Sequence, residues 1–186
     1  MSILVATASR HGSTAEVATA LAAAMRHHGE HVDVMPVELV RGVDEYHAVV
    51  LGSAVYRNRW LREARDFADV HQEELRRRAV FLFSSGPVSG TRRSAGPPCD
   101  VSVAAGRTGA REHRMFAGKL DPLMLGTGER VIARLCSMRV GDFRDWDAIG
   151  SWAAEIVDSL RPVAVGARGS VVTADPDRRW RQSHRR

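Results

Sequence analysis

Short, nearly continuous apolar runs alternate along this chain with longer stretches whose apolar residues recur at helical spacing, and that alternation leaves few folds open. Residues 2 to 8 form the first run, bounded by turn chemistry; a segment this short and this apolar suits a strand buried on both faces. From 14 to 28, Val17, Leu21, Ala24, Met25 and His28 fall at i, i+4, i+7, i+8 and i+11, the stripe of an amphipathic helix that Gly29 closes. Residues 31 to 37 alternate Val32, Val34 and Pro36 against His31, Asp33 and Met35 as a second strand, and Pro36 assigns it to a sheet edge. A third strand follows at 47 to 52, then a helix over 60 to 75 carrying Trp60, Ala64, Phe67, Ala68 and Leu75 on one face. A fourth strand runs from Ala79 to Phe83 and a fifth from Met115 to Leu120, with a short helix between them at 100 to 105. The last helix has the clearest stripe: Ile149, Trp152, Ala153, Ile156, Val157 and Leu160.

Strands and helices in alternation, with strands apolar throughout, predict an α/β domain: an open doubly wound parallel sheet of five strands with helices on both faces. Five strands are too few for a closed eight-stranded barrel. Ligands in open sheets of this kind sit beyond the carboxyl ends of the strands where strand order reverses, so chemistry belongs in the loops after strands one, three and four. With 186 residues, one domain over 1–160 can bury a full core, and residues 161–186 read as a flexible tail. The tail holds seven arginines against Asp175 and Asp177, which accounts for the whole formal charge of +5. Such a tail could touch anionic lipid or nucleic acid. The balanced remainder gives no reason to expect specific nucleic-acid binding, and at most peripheral membrane contact.

Cys99 and Cys136 are the two cysteines, with neither CxxC nor metal-ligand spacing, which fits a reducing cytoplasm better than a disulfide framework. The N-terminal run has no basic flank and reads as a strand rather than a signal peptide. No apolar stretch approaches the roughly 18 to 20 residues of a spanning helix. His27, His28 and His31 cluster at a helix end, where the dipole favours histidine, without a second group of ligands for a metal.

The loop after the first strand reads Thr7-Ala8-Ser9-Arg10-His11-Gly12-Ser13-Thr14 and opens directly into a helix. Helix N-termini present free N–H groups and the positive end of a dipole, which together attract anions. Hydroxyls of Ser9, Ser13 and Thr14 add donors, and Gly12 permits close backbone approach. Equally, serine and threonine at such a place can simply cap the helix. The segment is neither GxGxxG nor GxxxxGK[ST], so a monophosphate fits it better than a dinucleotide or nucleoside triphosphate.

This loop resembles the flavodoxin phosphate motif, [Ser/Thr]-x-Thr-Gly-x-Thr, through Ser9, Gly12 and Thr14, with His11 standing where the family usually has threonine. The resemblance implies the flavodoxin-like strand order 2-1-3-4-5 and one bound FMN, its phosphate held by Ser9, Arg10, His11, Gly12, Ser13 and Thr14. It also implies a first ring loop of Ala54, Val55 and Tyr56, with the Tyr56 ring stacked on the flavin, and a second of Ser84, Ser85, Gly86 and Pro87. Within the family, the Gly52–Tyr56 run, Phe116-Ala117-Gly118-Lys119-Leu120, the amphipathic 129 to 138 segment and Gly141-Asp142-Phe143-Arg144-Asp145-Trp146 are similar to the menaquinone-dependent protoporphyrinogen oxidase branch.

That branch implies an FMN-dependent oxidoreductase with a small-molecule substrate or quinone acceptor and no protein residue as acid or base. The same fold also serves as an electron-transfer flavodoxin with a redox protein partner, as a homodimer in some flavin reductases, or as a flavin-free binding module. Arg57 and Arg59 in the first ring loop, Arg92 and Arg93 beyond the second, and the absence of Asp or Glu over 46–62 and over 80–99 lean the reading toward two-electron chemistry. The connection from Gly86 to His113 is long enough to roof a ligand.

Overall fold

Strand β1 (Ser2–Ala8) is apolar on both faces and lies inside the sheet, which with β2 (His31–Pro36), β3 (Ala48–Tyr56), β5 (Ala79–Gly86) and β6 (Glu112–Ala117) has the order β2-β1-β3-β5-β6. All four pairings are parallel. The computed structural model describes residues 1–86, 98–120 and 141–161. The tail from 162, the 129 to 138 segment, Pro87, Arg92, Arg93 and most of the long connection lie outside these residues. The five-stranded order is the expected one, and Pro36 does lie on an edge strand.

Alternate residues along each strand feed two separate cores. Ile3, Val5, Val50, Phe81, Phe83 and Phe116 pack against α1 (Ser13–His27) and α5 (Trp146–Leu160), where Val17, Leu21, Met25 and Trp152 are fully buried. Leu4, Ala6, Val49, Leu51, Val80 and Leu82 face α2 (Arg62–Val70), α3 (Gln72–Arg76) and α4 (Val101–Thr108). Among the described residues no helix is long and apolar enough to cross a membrane.

Four elements depart from the sequence-based expectation. Strand β3 does not stop at residue 52 but runs to Tyr56 and turns through Arg57 and Asn58, both at positive φ (50° and 61°), into the short antiparallel strand β4 (Arg59–Trp60). Two consecutive left-handed residues are what a tight two-residue hairpin requires. Ala54, Val55 and Tyr56 are therefore strand residues rather than loop residues. Strand β5 likewise continues through Ser84, Ser85 and Gly86, because β3 and β6 satisfy its backbone from both sides.

The helix expected over 60 to 75 is two helices, α2 and α3, divided at His71, and Trp60 belongs to β4. The break leaves Val70 exposed while Leu75 is fully buried. The fifth strand starts at Glu112, and the chain breaks register at Gly118 before β7 (Lys119–Leu120) pairs with β8 (Gly141–Asp142). Gly118 donates its N–H to Gly86 O at 2.8 Å, and a Cβ there would stand 2.8 Å from that same oxygen. Only glycine permits the approach without a shift.

A buried polar link ties β4, β5 and β6 together. Trp60 Nε1 donates to Ser84 Oγ at 2.7 Å, and Ser84 Oγ lies 2.8 Å from His113 Nε2. Indole can only donate, so a neutral His113 accepting the Ser84 hydroxyl proton satisfies the chain of three. Burial pushes the His113 imidazole below its ordinary range, against the opposing pull of Glu112.

Two predictions follow from this packing. A Cβ on Gly52 would fall 2.1 Å from Cζ of Phe83, so Gly52→Ala should lower stability by about 1 to 3 kcal/mol; an unchanged urea midpoint would contradict the packing. For His113, the unfolded chain binds a proton at pH values where the folded chain does not, so stability should decline as pH falls below the ordinary value of 6.5. Urea melts between about pH 5 and 8 should show a shallower pH dependence in His113→Gln, and an identical slope in both proteins would rule the effect out.

Candidate functional site

The carboxyl ends of β1, β3 and β5 lie side by side because Ala8 pairs with Ser53 and Ala54 with Ser85. Loop 9–12 leaves β1 at this edge and enters α1 through Gly12, which sits at φ 82°, ψ −24° as the residue preceding the helix. A side chain there would strain the backbone, and glycine also brings none to cap the helix. The Glu16 N–H bonds Gly12 O at 2.9 Å, so helical pairing begins only at that residue and the three preceding N–H groups have no intrahelical acceptor.

The side chains of this loop differ in what they engage. Thr14 is buried at the helix start. Ser13 Oγ accepts the Lys119 N–H at 3.1 Å, which joins β7 to the first turn of α1. Among the described residues, Ser9 Oγ is buried and has no hydrogen-bond partner. An orphaned buried hydroxyl costs about 1 to 3 kcal/mol, and it stands beside an uncapped helix N-terminus. The combination can bind an oxyanion: a hydroxyl donor, free N–H groups, the helix dipole and a glycine that opens the approach.

Tyr56 comes to the same edge. The Arg10 guanidinium lies 5.7 Å from its ring centroid and the His11 ring lies 6.3 Å away at 60°. Loop 9–14 and the end of β3, separate in sequence, are thus one surface. Ala54 and Val55 are buried and Gly86 O is taken by Gly118 N–H. The Ser84 hydroxyl is occupied by Trp60 and His113, and Ser85 is nearly buried. These positions of β5 therefore shape the edge through backbone and packing rather than by offering free hydroxyls.

The positive charge of the hairpin is smaller than the linear sequence implies. Asp100, at the start of α4, lies 3.8 Å from Arg59 and 3.6 Å from Arg65, and its two oxygens accept the Trp60 N–H at 3.1 Å each. Sequence reading missed this carboxylate because it is distant along the chain. It also missed His113, Glu16 and Arg144. Arg144 lies in the Gly141–Trp146 motif, whose linear pattern gives no indication of what the guanidinium touches.

Solved structures with this architecture include oxidised flavodoxin 1 from Bacillus cereus, at 16% identity and TM-score 0.60, covering 87% of this chain and 100% of that one. A flavodoxin from Streptococcus pneumonia TIGR4 aligns at 17% identity and TM-score 0.58, covering 86% of this chain and all of its own. Rubredoxin oxygen:oxidoreductase from Desulfovibrio gigas aligns at 14% identity and TM-score 0.57 over 86% of this chain and 36% of its own. Identities this low speak to the fold alone. No curated protein matches the sequence. The flavodoxin domain model matches residues 4–145, and the chain therefore belongs to the flavodoxin domain family.

Proposed function

We propose that this chain binds FMN at the carboxyl edge of its sheet and acts as a flavin-dependent redox protein. The observation that carries this reading is the buried Ser9 hydroxyl, without a hydrogen-bond partner among the described residues, beside the uncapped start of α1. In that reading Ser9, Gly12, Ser13 and Thr14 hold the phosphate, with Arg10 and the His11 ring N–H beside it, and Tyr56 covers one face of the ring. Ala54 and Val55 support Tyr56 from β3, while the backbone of Ser84, Ser85 and Gly86 would border the ring edge. Bound FMN would supply reversible acceptance of one or two electrons; the chain contributes binding, orientation and electric field.

We further infer quinone-linked two-electron chemistry of the protoporphyrinogen oxidase type, with a small-molecule substrate or quinone acceptor. The absence of Asp and Glu over 46–62 supports this, since carboxylates there would oppose added negative charge on the ring. Electron transfer to a redox protein partner is the second reading, and pairing of Arg59 with Asp100 favours it by reducing that charge.

Two measurements test these proposals. Ser9→Ala combined with Thr14→Ala should weaken FMN affinity on the order of tenfold or more, through loss of charge-assisted hydrogen bonds, while riboflavin affinity changes little. Equal FMN affinity in variant and parent would refute the phosphate site. In a reductive titration of the FMN-loaded protein, a single two-electron step supports the enzyme reading; two resolved one-electron steps support the electron carrier.

A further inference from the structure

The loop proposed to hold phosphate has an acidic residue close beside it. Glu16 lies in the first turn of α1, and its Oε1 is 4.0 Å from where a Cβ would stand on Gly12. A carboxylate there favours the bare helix by opposing its dipole, but a dianionic phosphate on the same N–H groups would meet it as like charge. The structure provides the counter-charge from the far end of the sequence.

Arg144 Nη1 donates to Glu16 Oε2 at 2.7 Å, across 128 residues. Its Nε and Nη2 grip the two oxygens of Asp142 at 2.8 and 2.5 Å, and its guanidinium lies 4.4 Å from the Trp146 ring centroid. Three partners hold the group so closely that its side chain is only 3% exposed, although Glu16 and Asp142 both reach solvent. The forked bond from Arg144 holds the Asp142 carboxyl at about 2, well below the usual range. Both strands of the β7–β8 pair are thereby fastened to the start of α1, β8 through Arg144 and β7 through the Lys119 N–H on Ser13 Oγ.

We propose that Arg144 is a positioning residue for the FMN phosphate: by pairing with Glu16 and fastening the β7–β8 pair to α1, it offsets part of the like charge that would oppose phosphate at the helix start. This rests on the FMN reading above. A guanidinium suits the task because its rigid fork can serve two carboxylates at once, which a lysine ammonium does less well. A purely mechanical latch would make the same contacts but would not distinguish a phosphorylated flavin from an unphosphorylated one.

The test compares FMN with riboflavin. Arg144→Met should weaken FMN binding about tenfold and change riboflavin binding less than about twofold, and Glu16→Gln added to it should restore most of the FMN affinity. Glu16→Gln alone should bind FMN several-fold more tightly than the parent, an arm that stands even if Arg144→Met fails to fold. Equal losses for both flavins without rescue by Glu16→Gln would show a structural latch and overturn the proposal, as would Glu16→Gln with unaltered FMN affinity. A parent protein that binds neither flavin would refute the FMN reading itself, and this inference with it.

Discussion

Parallel pairing of β3 with β1 on one side and β5 on the other aligns the carboxyl ends of three strands, and the candidate site hangs from that alignment. Because both faces of these strands are buried, a slip of one residue would exchange the side chains of the two cores. Phe83 would then face α4 and Leu82 would face α5. Gly52 fixes the register more tightly still, since the Phe83 ring occupies the space its side chain would need. Loop 9–12 and Tyr56 meet because the ladder leaves them no other arrangement.

What could be read from sequence was whatever has a local cause. Periodicity revealed β1, α1 and α5 because burial repeats every two or 3.6 residues within each element. Pro36 revealed an edge because it lacks a donor. Ser9, Gly12 and Thr14 stood out because strand, hydroxyl-rich turn and helix start follow one another directly, whereas Tyr56 was singled out only through the family resemblance. Strand ends misled for the opposite reason: Ser53 to Tyr56 and Ser84 to Gly86 look like loops by side chain, yet neighbouring strands satisfy their backbones. Trp60 fitted a helical stripe but is buried from a hairpin instead.

Charge and polar partners were less legible, since their causes are distant. Ser84 meets His113 across 29 residues and Glu16 meets Arg144 across 128. No spacing rule applies over such separations. The fold brings Ser84 and His113 to one part-buried place, where leaving either without the other would be costly, and it buries the Arg144 side chain beneath a Glu16 that reaches solvent. The Gly141–Trp146 run shows the limit well: its pattern pointed to a family branch, while the contact that gives Arg144 a physical role is visible only once β8 lies against α1.

The same long-range pairing changes which part of the edge carries its charge. Arg57 sits exposed on the hairpin turn, where water screens it, and Arg59 is paired with Asp100. Arg10 and His11 instead approach the Tyr56 ring itself. On the FMN reading, loop 9–14 would then border the ring as well as the phosphate. Histidine at position 11 in place of a hydroxyl residue fits that arrangement: it gives up one short donor and sets an imidazole 6.3 Å from the Tyr56 ring. A single loop would then both hold the cofactor and flank its ring, leaving β3 and β5 to supply shape.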